Sequence, residues 1–187
     1  MMRMILFIMV FSASLQGCFP VVAAGAGAGV LMAQDRRTSG AYVEDEAIEA
    51  KAFDRIGKQF KDTVHVNVTS YNRAVLISGE VPSEDVKAQV ERTVANIQNV
   101  VKIHNELAVT GLSSLTSRSN DSLITSNVKL RFVGDKRFSA NSIKVVTERN
   151  TVYLMGIVNH KEAQAAAEVA SGSSGVSNVV TLFEYVD

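Results

Sequence analysis

The chain repeats itself, and that repeat constrains its fold more than any other feature. "VNVTSYNRAVLISGEV", Val66 to Val81, matches "IKVVTERNTVYLMGIV", Ile143 to Val158, without a gap at an offset of 77 residues. Val68 falls on Val145, Val75 on Val152 and Gly79 on Gly156. Further on, Asn99 to Val101 matches Asn178 to Val180 at an offset of 79, so the second copy carries a two-residue insertion. Upstream, "DEAIEAKAFDRI" from Asp45 matches "DSLITSNVKLRF" from Asp121 at an offset of 76. Two small domains, 44–110 and 120–187, are expected, joined by a Ser-rich linker over 111–119. A chain of 187 residues has room for both.

Both copies carry the same order of patterns. A helix comes first, with apolar stripes Ile48/Ala52/Ile56 and Ile124/Val128/Phe132 at i, i+4, i+8. Asn120 or Asp121 can cap the second of these. Two strands around a polar turn follow, with Val64, Val66 and Val68 alternating before "YNR". A second helix is expected from Ser83, its cap, to about Ile97, and from Lys161 to Ala170 in the other copy. A last strand closes each copy. The fold class is therefore α+β: αββαβ twice, each a three-stranded sheet covered by two helices on one face.

The N-terminus is of another kind. Arg3 is the only charge before Asp35, and "MILFIMV" from Met4 to Val10 is apolar. A basic start, a short apolar run and a small-residue exit describe a secretory signal over 1–17; the run is too short for a transmembrane helix. It ends at Leu15-Gln16-Gly17-Cys18, around the single cysteine of the chain. A buried core cysteine is one reading of Cys18. The other follows from the stretch's resemblance to the bacterial lipobox, which implies cleavage before Cys18 and lipid attachment to it. Phe19 stands where an aspartate would imply inner-membrane retention, so that resemblance implies the outer membrane. Residues 18–43, with alternating Ala and Gly, read as a lipidated start and tether. An Ala-rich helix over Val21 to Ala33 is the alternative, weakened by its glycines.

The repeat resembles the BON domain, a small bacterial module. The resemblance rests on the hairpin ends Leu76 to Val81 and Leu154 to Val158, on "DSLITSNV" from Asp121, on "VYLMGIVNHKEAQAAAEVA" from Val152, and on "NVV" before the last strands. Signal, lipobox, tether and two such domains in this order are similar to dual BON-domain outer-membrane lipoproteins.

No catalytic constellation is visible. His65, His104 and His160 are scattered, no His-x-x-x-His pair exists, and the folded part holds no cysteine, so neither a metal site nor a cofactor is expected. "GAGAG" at Gly25 lacks the lysine of a phosphate loop. A net charge of zero offers no case for nucleic acid. An enzyme is not expected.

Function is sought where the copies diverge. On the first-helix flank opposite the core stripe, copy two has Leu123, Leu130 and Val133 where copy one has Ala47, Asp54 and Gly57. Arg118, Lys129, Lys136 and Arg137 lie beside this flank or at its ends. Between 118 and 144 there are six basic and two acidic residues, against eight and ten over 45–110. An apolar face edged with Lys and Arg suits an anionic bilayer surface. Packing of the same three residues against domain one or the linker is the equal alternative on the residues alone. The family resemblance implies the first: anionic phospholipid bound by the first helix of the second BON domain, in a periplasm-facing lipoprotein supporting outer-membrane integrity. The place of Leu123 is aromatic in the proteins it resembles, and leucine lacks the interfacial preference of tryptophan. The other functional reading is a protein-interaction scaffold for outer-membrane assembly proteins such as the β-barrel assembly machinery.

Overall fold

A computed structural model describes residues 35–187. Helix α1, Ser39–Phe60, buries one stripe: Ala41, Asp45, Ile48, Ala52, Ile56 and Phe60. Thr38 caps it, its hydroxyl accepting from the Ala41 amide at 3.1 Å. The helix therefore begins inside the stretch read as tether. Asp35, Arg36 and Arg37 are also tied down by side-chain bonds, so residues 35–43 belong to the folded body.

Strands β1 (His65–Tyr71) and β2 (Ala74–Val81) form an antiparallel hairpin. Its two turn residues, Asn72 and Arg73, have φ of 50° and 65°, the sign that a two-residue type I′ turn demands. Helix α2, Glu84–Ala95, starts on Ser83 as the sequence predicts. Strand β3, Lys102–Val109, returns parallel to β2 and completes the sheet in the order β1-β2-β3.

The second copy repeats this with α3 (Leu115–Gly134), β4 (Ile143–Glu148), β5 (Thr151–Val158), α4 (His160–Ser171) and β6 (Asn178–Tyr185). The sheet order is β4-β5-β6, and Arg149 and Asn150 make the matching turn with φ of 51° and 59°. Helix α3 begins earlier than expected. Ser114 is its cap, accepting from the Ser117 amide at 3.1 Å, so the linker proper is 111–114. Asp121 is not a cap. It is buried inside α3 and accepts from the Arg149 and Asn150 amides at 3.0 and 2.9 Å, holding the hairpin turn. Asp45 does the same for Asn72 and Arg73 at 2.8 Å each. The aligned aspartates are thus turn anchors, repeated because the architecture is repeated.

Each domain has its own core between helices and sheet. Ile48, Ala52, Ile56, Val75, Ile77, Val81, Val90, Val94 and Leu107 fill one; Ile124, Val128, Phe132, Val145, Val152, Leu154, Val158, Ala166 and Val169 fill the other. The opposite faces of the two sheets are also covered. Tyr71 and Leu76 of the first pack with Tyr153, Met155 and Ile157 of the second. The layers run helix, sheet, sheet, helix. Strands β2 and β5 are accordingly buried at every position but the first, as expected for strands covered on both faces.

Candidate functional site

Helix α3 presents one face to its own sheet and the other to solvent. Ile124, Val128 and Phe132 are buried in the core. Leu123, Leu130 and Val133 are 64%, 71% and 76% exposed, so they do not pack against domain one or the linker. Of the two sequence readings of this flank, the packing alternative does not hold. Leu115, 79% exposed, lies on the same side at the start of the helix, and Leu112 is exposed just before it. Leu115 escapes a reading that places the helix start at 120. The signal was present in Ser113-Ser114, a pair suited to capping.

The basic edge is thinner than expected. Lys129 and Lys136 are exposed and form no ion pair among the described residues. Arg137 is exposed but paired with Asp135 at 2.8 Å and Glu168 at 2.8 Å. Its hydrogen bonds hold the Asp135 carboxyl below the ordinary range. Arg118 is half-buried near the start of α3, where its guanidinium donates to Oγ and the carbonyl of Ser113 at 3.1 Å each. Helical spacing alone could not show this turn back onto the linker.

Domain one is also less plain than its sequence suggests. Val43 and Phe53 of α1 are 66% and 82% exposed, so an apolar outer patch is not confined to copy two. Phe53 borders a groove of about 760 Å³ between α1 and β1, lined also by Glu46, Gly57 and Val66. Cys18 lies outside the described residues. Among those residues, no helix is long and apolar enough to cross a membrane.

The seam between the domains carries polar groups that the sequence reading missed. His65 Nδ1 lies 2.9 Å from Glu80 Oε2, its partner across the β1–β2 ladder. Glu148, at the end of β4, brings Oε1 to 3.9 Å from the same nitrogen. Asn67 donates to Glu148 Oε2 at 2.9 Å, and the Ser113 hydroxyl to Glu80 Oε2 at 3.0 Å. Burial pushes the Glu148 carboxyl above its ordinary value, and the negative charges of Glu80 and Asp121 add to the shift. His104 and His160 have no such company; His160 stacks on Tyr185 at 4.3 Å. Scattered in sequence, the three histidines thus differ in the fold, and His65 alone of them has two carboxylates beside it among the described residues.

Arg36 and Arg37 strap the seam from outside. Arg36 binds Glu162 through both guanidinium nitrogens, at 2.6 and 2.8 Å, and donates to the Ile157 carbonyl, all in the second domain. Arg37 binds Asp45 of the first at 2.9 Å and stacks over Tyr71 at 4.2 Å. Tyr71 in turn donates to the Ser142 carbonyl across the seam at 3.1 Å.

A chain of two αββαβ units with these sheets and hairpins is a tandem BON-domain protein: the BON domain family model matches residues 44–111 and 120–187, and the chain belongs to that family. Among proteins of known name it is similar to the "Outer membrane lipoprotein DolP" of Haemophilus influenzae, 38% identical over 175 residues covering 92% of this chain and 91% of that one. The "21 kDa hemolysin" of Actinobacillus pleuropneumoniae is 32% identical over 154 residues, 81% of this chain and 79% of its own. Of solved structures, the C-terminal domain of CdsD from the type III secretion system of Chlamydia trachomatis covers 74% of this chain and 96% of its own, with 12% identity and a TM-score of 0.32.

Proposed function

We propose that the protein is a non-enzymatic outer-membrane lipoprotein, anchored through Cys18 and facing the periplasm. Its second BON domain binds anionic phospholipid and so supports the integrity of the membrane. The observation that carries this reading is the outward face of α3. Leu115, Leu123, Leu130 and Val133 stand in solvent on one side of a single helix, with Lys129 and Lys136 near them and without an ion pair among the described residues. Each aliphatic side chain offers about 1.5–3 kcal/mol on full burial. Each lysine adds about 1 kcal/mol near an anionic surface. The likeness to an outer-membrane lipoprotein over nearly the whole chain supports the location. Anchoring at Cys18 would hold this weak face near its membrane, so modest affinity suffices.

The test is Leu123→Glu with Val133→Glu, measured against vesicles containing phosphatidylglycerol. Both residues are exposed, so the fold survives, with stability changed by less than about 0.5 kcal/mol. Binding is expected to fall at least tenfold, through lost apolar burial and two new negative charges. Ile124→Glu, at a core position 3% exposed, unfolds the domain instead. Undiminished vesicle binding by the folded double variant would remove this face as the lipid site.

A second reading, a scaffold for outer-membrane assembly proteins, draws on Phe53 and the groove beside it in domain one. It predicts that Phe53→Ser abolishes capture of such a partner and leaves vesicle binding intact.

A further inference from the structure

We infer that His65, Glu80 and Glu148 form a site for a divalent transition-metal ion of the zinc type, which would clamp the two BON domains together. One ligand atom from each of the three lies within 4.8 Å of the others. A tetrahedral ion with bonds of about 2.0–2.1 Å holds its donors about 3.4 Å apart. The observed separations, 2.9 Å from His65 Nδ1 to Glu80 and 3.9 Å to Glu148, straddle that value. Small side-chain shifts bring both to it.

A second observation points the same way. Glu80 is 1% exposed, and its Oε1 has no hydrogen-bond partner among the described residues. A buried carboxylate oxygen without a partner is costly, and a cation held by both Glu80 oxygens would supply what Oε1 lacks, Oε2 being the atom that faces His65. Among the described residues, neither Glu80 nor Glu148 is paired with a lysine or arginine. Arg118 lines the adjoining cleft of about 380 Å³, gives two of its five N–H donors to Ser113, and forms no ion pair with either carboxylate among the described residues. Two carboxylates and one neutral imidazole neutralise a divalent ion.

The donor set selects the metal class. An imidazole nitrogen with only two carboxylates suits zinc and its neighbours; calcium asks for six to eight oxygens. Three protein ligands leave one position to water. Asn67 on Glu148 and Ser113 on Glu80 hold the two carboxylates in place, the role of outer partners in metal sites. The site occurs once. The repeat equivalents of His65, Glu80 and Glu148 are Ser142, Ile157 and Tyr71. That end of the seam is closed by the Tyr71 hydroxyl on the Ser142 carbonyl instead.

The test uses the full lipoprotein in detergent, titrated with Zn²⁺ in competition with a chelating dye. One ion per chain is expected, with a rise in melting temperature. His65→Gln and Glu148→Gln should each weaken binding at least tenfold and remove that rise. In the unmodified protein, Zn²⁺ should shift the Nδ1 resonance of His65 and leave those of His104 and His160 in place, a readout independent of how the variants fold. Absence of saturable binding would overturn the site, as would binding that persists in both variants or that moves only His104 or His160. The lipid face of α3 is not involved, so either reading can fail without the other.

Discussion

The paired aspartates allow a quantitative test in which each domain is the control for the other. Asp45 accepts four hydrogen bonds: from Ser70 Oγ at 2.6 Å, the Asn72 and Arg73 amides at 2.8 Å, and Arg37 at 2.9 Å. Asp121 accepts two, from the amides of its turn. In Asp121→Ala, two amides lose a carboxylate but lie in a turn that water reaches. At about 1 kcal/mol each, the loss is about 2 kcal/mol. In Asp45→Ala the same two bonds are lost together with a hydroxyl partner and one side of a guanidinium that is 8% exposed. Breaking a buried pair costs about 3–5 kcal/mol. Asp35 remains on Arg37 and keeps the total near the lower end of that range. Asp45→Ala should therefore exceed Asp121→Ala by about 1–2 kcal/mol in urea unfolding. Amide exchange localises the effect: Asn72 and Arg73 speed up in one variant, Arg149 and Asn150 in the other. Equal losses, or a loss below about 1 kcal/mol for Asp45→Ala, would refute the assignment of these residues as turn anchors of unequal weight.

Three further outcomes are expected. A Cβ on Gly79 would sit 2.0 Å from the His65 carbonyl at a φ of 118°, whereas one on Gly156 would meet the Ser142 carbonyl at 2.6 Å without the positive φ, so Gly79→Ala should lower the melting temperature more than Gly156→Ala. The Arg36 hydrogen bonds hold the Glu162 carboxyl below its ordinary value near 4.5; that depressed value contributes stability present above about pH 4.5 and lost as pH falls through the folded-state value. Arg36→Ala should remove most of that acid dependence, worth at most about 1 kcal/mol for so exposed a pair, as read by melting between pH 6 and pH 3. Cys18→Ala should leave the chain uncut at that position and unlabelled by palmitate, and normal labelling would end the lipoprotein reading.

Much of the architecture was legible because repetition doubles every signal. Both hairpins, the Ser83 cap and the core stripes of α1 and α3 stand in the sequence as read. The helix starts were not, since Thr38 and Ser114 lie in Ser/Thr/Gly-rich runs whose composition suits a tether or linker as well as a cap. Periodicity set Leu123, Leu130 and Val133 opposite the core stripe but left open whether another surface covered them, and it could not show that Arg118 turns back onto Ser113. The sheet-to-sheet packing left a trace that went unread. "AVLISGEV" and "TVYLMGIV" lack the polar alternation of a half-exposed strand, and Glu80 inside such a run asks for a buried partner. The partners, His65 and Glu148, are 15 residues before it and 68 after it, a distance that no local pattern spans.

The way the sheets face each other also limits how such a chain can grow. The seam is reciprocal: His65 meets Glu148, and their repeat equivalents, Ser142 and Tyr71, meet in turn. A contact of this isologous kind closes on itself and leaves no free copy of either surface, unlike the head-to-tail contacts of solenoid arrays. A third unit added in sequence would find neither of these two sheet faces left to cover. Removing either domain would expose the sheet face that Tyr71 and Leu76, or Tyr153, Met155 and Ile157, now bury against the other.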